Sequence, residues 1–187
     1  MKFSPFTFIL FFIIIFLYSR PRYIYFLPTI PVYDNNEANI VYAKTKYRTQ
    51  DEIEFFRLTD PSIVKCFVMH VQESEKELLD IITSPIVIFI ILFLKYTINR
   101  PRPYQINIKI KYLHSNTGNT PALPAGHAFQ AYYLAHVLSK KYPSKKNLFD
   151  ELANKCDDVR VKAGIHYPSD GAMSKSIVQG MIQYYIA

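Results

Sequence analysis

Three short clusters of the sequence combine cationic side chains with imidazoles. They are Lys95 with Arg102 and Pro103, the tetrapeptide Pro-Ala-Gly-His at 124–127, and Arg160 with His166 and Asp170. Six residues lie between the lysine and the first arginine, and twenty lie between the first and second clusters. Cations neutralise a bound oxyanion, and imidazoles transfer protons or attack as nucleophiles. The pattern therefore predicts a single oxyanion site built from remote parts of the chain.

Lys95 and Arg160 are predicted to lie in apolar surroundings, where an unpaired charge is energetically unfavourable. Lys95 is near the end of an apolar segment, and Arg160 adjoins the apolar face of its predicted helix. An unpaired buried charge costs several kcal/mol, about as much as several hydrogen bonds, so each cation needs an anion nearby. A phosphate-type ligand meets this need. The alternative is a salt bridge to Asp157, Asp158 or Glu73.

Arg102 lies between Pro101 and Pro103, which end the preceding helix and stiffen the turn. A guanidinium held in this way suits bidentate contact with phosphate oxygens. Arg100, two residues earlier, is expected to be solvated.

The tetrapeptide at 124–127 leads into a predicted helix. Gly126 permits close backbone approach, and the free N–H groups of a helix start attract anions. We therefore predict that Ala125 and Gly126 contact phosphate and that His127 acts as a general acid. The alternative for His127 is a surface residue.

The segment 160–170 brings further polar groups together. The helix that carries Arg160 is predicted to stop at Gly164, which leaves His166 in a short loop before the next helix. Asp170 can accept a hydrogen bond from His166 and fix its tautomer, and it can also stabilise the first turn of its helix. Lys162, Tyr167 and Ser169 are expected to have local structural roles.

Composition limits the classes of protein to consider. Half of the 187 residues are hydrophobic, which excludes a disordered chain, and the net charge of +7 favours anionic partners. We expect no nucleic acid, because no basic stripe, zinc-finger spacing or aromatic RNA-binding signature is present. Cys66 and Cys156, far apart in sequence, predict neither a disulfide framework nor a metal site.

Residues 3–18 are almost wholly apolar and are flanked by basic residues. A helix of this length spans about 24 Å, short of the roughly 30 Å hydrocarbon core, yet no small-residue cleavage pattern follows it. We predict an N-terminal membrane anchor within residues 1–19, with a cleaved secretory signal as the alternative. A small excess of basic residues after it favours a cytoplasmic main domain, and the sequence leaves the side of the membrane open.

The rest of the chain predicts an all-α protein. Residues 20–48 contain prolines and a polar run, so we expect a linker or extended arm. Residues 49–187 carry helical patterns, with capping signals at Thr49 and Ser74. The helix that begins at Pro85 is apolar on every side until Lys95, which predicts a buried core helix.

Taken together, the three clusters resemble the signature of the type 2 phosphatidic acid phosphatase and vanadium haloperoxidase superfamily, which is Lys-x6-Arg-Pro, Pro-Ser-Gly-His and Ser-Arg-x5-His-x3-Asp. The resemblance covers residues 95–170 and implies a helical bundle of that type over residues 49–187, with a catalytic function. It implies that three cations hold the phosphoryl oxygens, namely Lys95, Arg102 and Arg160. It further implies that His166 forms a phosphohistidine, Asp170 orients His166, and His127 protonates the leaving oxygen.

The activity that the resemblance implies is hydrolysis of a phosphomonoester or diphosphate, on a phosphorylated small molecule or a lipid phosphate. No metal or cofactor is implied for it, and vanadate enters only under a haloperoxidase alternative. Ala125 and Val159 replace serines of the signature. Losing a hydrogen bond to a charged group costs roughly 1.5–3 kcal/mol, which predicts a weakened enzyme, or alternatively a phosphate-binding membrane protein. The oligomeric state stays open.

Overall fold

The computed structural model describes residues 36–185, and these residues are helical with no strand among them. The all-α prediction is therefore confirmed. The predicted anchor at 1–19 and the first part of the predicted arm lie outside the described residues. The helices are α1 (Glu37–Lys46), α2 (Gln50–Thr59), α3 (Val64–Phe67), α4 (Glu75–Ile82), α5 (Pro85–Ile98), α6 (Pro103–Ile106), α7 (Gly126–Lys141), α8 (Lys146–Lys162) and α9 (Pro168–Tyr185).

Two helices begin at the capping signals that the sequence predicts. The Thr49 hydroxyl accepts from the Glu52 N–H at 3.3 Å, and the Glu52 carboxylate accepts from the Thr49 N–H at 2.8 Å, so α2 starts with a capping box. Ser74 and Glu77 make the same reciprocal pair at the start of α4. Each box satisfies two backbone donors that would otherwise lack partners.

The main core lies where α7 and α8 pack together against α2–α4. The two long helices are joined by a 3₁₀ turn at Pro143–Lys145. Their buried apolar residues face α3 and α4, as in the stacked rings of Phe67 and Phe149, whose centroids are 6.2 Å apart. This packing fixes the two helices that carry His127 and Arg160.

The expected extended arm is wrong for residues 37–46, which form α1. Ala38 and Val41 of this helix are buried, and the Lys44 ammonium lies 3.0 Å from the Asp158 carboxylate on α8. Helix α1 buries only a few apolar residues, so its sequence pattern alone does not predict a helix. Packing against the rest of the protein stabilises it. As shown below, α1 also supplies a carboxylate to the candidate site.

The prediction of a buried core helix at Pro85–Ile98 is also wrong. One stripe of α5 is buried, at Val87, Ile91 and Lys95, while Phe89 and Phe93 are more than half exposed. The helix packs mainly on one side, against α7 and α9, so its other apolar residues remain uncovered. Within residues 36–185 no single helix is long and apolar enough to cross a bilayer, and α4 with the Pro85–Ile106 segment passes that test only as a pair bent by 48°.

A sharp turn after α8 places His166. Gly164 has φ +80°, in the left-handed region that suits glycine, and a Cβ built there would lie 2.8 Å from the Ile110 Cγ2 atom. The Leu113 N–H donates to the Ala163 carbonyl at 2.8 Å, which ties the 110–113 segment against the same turn. Both backbone conformation and space therefore require glycine here.

We predict that Gly164→Ala lowers the free energy of unfolding by about 1–3 kcal/mol, because it adds strain and a steric clash. Gly180→Ala is the matched control: a Cβ there meets nothing within 4 Å, and the position is helical. It should change stability by no more than about 1 kcal/mol, in the stabilising direction. Urea unfolding followed by circular dichroism measures both, and equal midpoints for the two variants would contradict this account of the turn.

Candidate active site

Five of the predicted site residues line one cavity of about 640 Å³. Its walls come from α5, the start of α7, the 116–120 loop and the turn after α8. The five predicted residues in its lining are Lys95, Arg102, Gly126, His127 and His166. Residues separated by up to 71 positions thus share one concave surface, while the other three predicted residues, Ala125, Arg160 and Asp170, lie behind it.

His166 is held from behind by Asp170. The His166 Nδ1 atom lies 3.1 Å from the Asp170 Oδ2 atom, and both side chains are buried. The same carboxylate oxygen accepts from the Tyr167 N–H at 2.9 Å. Burial raises the pKa of Asp170, and the positive charge of Arg100 opposes that shift. A carboxylate in this place orients the imidazole, as the sequence predicts.

Arg102 defines the tautomer of His166. The Arg102 Nη1 atom lies 2.8 Å from the His166 Nε2 atom, and a guanidinium can only donate. Nε2 must therefore carry the lone pair, and Nδ1–H donates to Asp170. Burial, followed by the charges of Arg102 and Lys95, lowers the pKa of His166 well below its usual range. The imidazole is neutral, with its nucleophilic nitrogen at the cavity.

Arg102 is fixed in the cavity wall by backbone oxygens. Its Nε donates to the Thr120 carbonyl at 2.8 Å, and its Nη1 donates to the Ile165 carbonyl at 2.7 Å. Burial lowers the pKa of Arg102 to about 10, so the guanidinium is still charged at neutral pH. These carbonyls set the orientation of the guanidinium and, being neutral, do not cancel its charge.

Lys95 is also buried against carbonyl groups. Its Nζ donates to the Pro121 carbonyl at 2.5 Å and lies 3.5 Å from the Ala122 carbonyl oxygen. Burial, with the charge of Arg102 as the second cause, lowers the pKa of Lys95 well below its usual range. Bound anionic charge would reverse that shift, because it favours the ammonium form.

His127 is anchored by the backbone of the segment after α2. Its Nε2 atom lies 2.8 Å from the Asp60 carbonyl oxygen, which can only accept, so Nε2 carries a proton. Nδ1 is left as the nitrogen that can exchange a proton. Burial, then the charge of Arg160, lowers the pKa of His127 well below its usual range. The surface-residue alternative does not fit, since His127 is only 9% exposed.

Arg160 is completely buried beside His127, just outside the cavity lining. Its Nη2 donates to the Thr59 hydroxyl at 2.9 Å, and its Nη1 lies 3.4 Å from the Asp60 carboxylate. Its guanidinium also stacks over the Phe56 ring at 4.8 Å. None of the three acids that the sequence offered as alternative partners is paired with it. The Arg160 Nε–H is buried and has no hydrogen-bond partner among residues 36–185.

Ala125 and Gly126 differ in position. Gly126 lines the cavity, whereas Ala125 is fully buried outside it. A Cβ at Gly126 would make ordinary contacts with Ile91 and Lys95. The backbone of Gly126 therefore lies close to these side chains, but the space there does not strictly require glycine. The prediction that Ala125 contacts phosphate rests on the sequence pattern and not on this geometry.

Arg100 is the residue that sequence reasoning placed wrongly. It is 2% exposed, and its guanidinium donates to the Asp170 carboxylate at 2.6 Å and to the Glu37 carboxylate at 2.7 Å. It also stacks on the Tyr167 ring at 3.8 Å. Ser169, likewise expected to be merely local, donates from its hydroxyl and its N–H to Glu37. No sequence signal indicated that Arg100 is buried and paired, because Glu37 comes from a segment with no predicted link to the site.

The charges of the site do not balance. Arg100 is paired with Asp170 and Glu37, and Arg160 is near Asp60. Lys95 and Arg102 have no carboxylate within salt-bridge distance in the described part of the chain, although both are at most 5% exposed. These two cations line the cavity together with the lone pair of His166. The arrangement suits an oxyanion that carries one or two negative charges.

No protein-family model matches this chain. The search of curated proteins found no match either. Residues 36–185 contain no group of three or more His, Cys, Asp or Glu side chains placed to hold a metal ion.

We predict that Arg100→Met lowers the free energy of unfolding by about 3–5 kcal/mol, because it leaves the buried Asp170 carboxylate without its cation. Arg57→Met, on the exposed face of α2, is the control and should change stability by less than about 0.5 kcal/mol. Urea unfolding compares the two variants. A loss for Arg100→Met as small as that of the control would show that the Arg100–Asp170 pair does not hold the site together.

Proposed function

We propose that this protein is a phosphatase that hydrolyses a phosphomonoester or diphosphate through a phosphohistidine at His166, without a metal ion. The observation that carries the proposal is that two buried basic side chains, neither paired with a carboxylate within residues 36–185, share one cavity with a neutral histidine. Within residues 36–185 the partners of Lys95 and Arg102 are carbonyl oxygens, the Thr120 hydroxyl and the His166 imidazole, all of them neutral, and the His166 Nε2 atom lies 2.8 Å from the Arg102 Nη1 atom. A phosphate group would neutralise the cations and present phosphorus to the nitrogen.

The first step transfers the phosphoryl group to His166. A substrate oxygen replaces Nε2 as the acceptor of the Arg102 hydrogen bond, which frees the lone pair. Nε2 then forms the N–P bond as the bond from phosphorus to the leaving oxygen breaks. Asp170, bonded to Nδ1–H, stabilises the positive imidazole that results. Lys95, Arg102 and Arg160 stabilise the charge on the transferred group.

His127 acts as the general acid and then as the general base. With Nε2–H fixed on the Asp60 carbonyl, protonated His127 gives its Nδ1 proton to the leaving oxygen. Water then attacks phosphorus, His127 takes a proton from it, and the N–P bond breaks to release inorganic phosphate. Bound phosphate raises the pKa of His127 toward the range in which it is an effective acid, since an anion offsets burial and the charge of Arg160.

The cavity wall on α5 favours a substrate with an apolar part. Ile88, Ile91 and Leu92 line the cavity beside Lys95, and Phe89 and Phe93 of the same helix are exposed. An apolar chain attached to the phosphate would lie along this wall and gain roughly 0.8 kcal/mol for each buried methylene. A lipid phosphate is therefore the substrate class we favour, on a protein anchored to the membrane through residues 3–18.

The decisive variant for this function is His166→Ala. The full-length protein should release inorganic phosphate from lipid phosphates and short-chain phosphomonoesters, and the variant should lose at least about 10³-fold in kcat because the nucleophile is gone. Wild-type protein quenched during turnover should carry an acid-labile phosphoryl group, absent from the variant.

His136→Ala is the matched control, since His136 is partly buried on α7 outside the cavity lining, and it should keep full activity. Phosphate binding with no release by wild-type protein on any of these substrates would instead favour a phosphate-binding membrane protein. Undiminished release by His166→Ala would refute the phosphohistidine.

The acid role of His127 predicts a dependence on the leaving group and on pH. His127→Asn should cost about 10²–10⁴-fold with an alkyl phosphate and less than about 10-fold with p-nitrophenyl phosphate, whose leaving group needs no proton. Because burial lowers the pKa of His127 in the free protein, its protonated fraction grows as pH falls below neutral. The ratio of wild-type to variant kcat/KM for the alkyl ester, in which substrate ionisation cancels, should rise as pH falls. A ratio that is flat with pH, or equal for both substrates, would rule this role out.

A further inference from the structure

The two cysteines of the chain meet in the core, although 90 positions separate them. Cys66 lies on α3 and Cys156 on α8, and their sulfur atoms are 3.5 Å apart. Both thiols are reduced and buried, Cys66 at 4% exposure and Cys156 at 0%. The sequence offers no other cysteine. The expectation that this pair makes no disulfide rested on sequence distance, which the packing of α3 on α8 removes.

We propose that Cys66 and Cys156 form a redox-active dithiol that closes into a disulfide and ties α3 covalently to α8. The two sulfurs need to approach by about 1.5 Å to reach bonding distance, which is within the reach of side-chain rotation. The inference rests on this juxtaposition alone and is independent of the proposed phosphatase activity.

The surroundings of the pair favour Cys66 as the attacking sulfur. Its Sγ lies 3.1 Å from the Ile63 carbonyl oxygen, to which only a thiol hydrogen can be donated, so the hydrogen between the two sulfurs comes from Cys156. That hydrogen bond lowers the pKa of Cys66 and raises the pKa of Cys156. Cys66 also has the greater exposure and sits on a helix of only four residues, where local opening costs least.

The oxidant we name is a small disulfide such as oxidised glutathione. The Cys66 thiolate attacks one of its sulfurs, forms a mixed disulfide and releases one glutathione thiolate, which takes up the proton lost by Cys66. Cys156 then loses its proton and attacks the Cys66 sulfur, forming the internal disulfide and releasing the second glutathione. Two thiols are oxidised, and one disulfide is reduced to two thiols.

The disulfide would stabilise the two segments that hold side chains of the candidate active site in place. Cys156 lies one helical turn before Arg160 on α8, and Cys66 follows closely on Asp60, whose carbonyl oxygen and carboxylate contact His127 and Arg160 respectively. A bond between the two segments would hold these contacts in register. It would also close a loop of about 90 residues, which restricts the unfolded chain strongly.

The test uses full-length protein incubated with oxidised glutathione or with dithiothreitol. After oxidation we expect an intact mass lower by about 2 Da, loss of both maleimide-reactive thiols under denaturing conditions, and a monomer on a non-reducing gel. The oxidised form should melt about 10 °C above the reduced form, given the size of the loop closed.

Cys66→Ala and Cys156→Ala are the controls, and neither should show an internal mass change or a redox-dependent melting temperature. Retention of two free thiols by wild-type protein after prolonged oxidation would overturn the proposal, leaving two cysteines that merely pack in the core. Stable glutathione adducts without ring closure, or disulfide-linked dimers, would overturn it as well.

Discussion

The buried carboxylate of Asp170 is the group on which the rest of the site depends. One of its oxygens accepts from His166 and from the Tyr167 N–H, and the other receives Arg100. It therefore supports the imidazole tautomer that Arg102 selects, closes the first turn of α9 and neutralises one of the buried arginines. Burial raises the pKa of this carboxylate, and the Arg100 charge and the Tyr167 N–H oppose that shift because they favour its charged form.

Around this carboxylate the protein accumulates more positive charge than it neutralises. Arg100 is bound to two carboxylates, which makes it a structural cation, whereas Lys95 and Arg102 are held by carbonyl oxygens that orient them without cancelling their charge. This division explains why neighbouring arginines have different roles. Burial, and after it the neighbouring positive charge, lowers the pKa of both cavity histidines, so an arriving anion would offset the charge and raise the pKa of these groups in one event.

The sequence predicted the structural features that residues close together in the chain determine. The capping boxes at Thr49 and Ser74, the helix start at Gly126 and the turn at Gly164 follow from side chains and backbone within a few residues. Contacts set by tertiary packing were not predictable in this way. Glu37 reaches Arg100 across 63 positions, the face of α5 left uncovered depends on which helices pack beside it, and Cys66 meets Cys156 only because α3 rests on α8.

The most direct test is a crystal structure of the protein with tungstate, a stable phosphate analogue. We predict an oxyanion in the cavity with oxygens within about 3.2 Å of the Lys95 Nζ and the Arg102 guanidinium. The His166 Nε2 atom should face the tungsten atom and should no longer accept a hydrogen bond from Arg102. An empty cavity at saturating tungstate, or an anion bound away from these two cations while Arg102 stays on His166, would contradict the account.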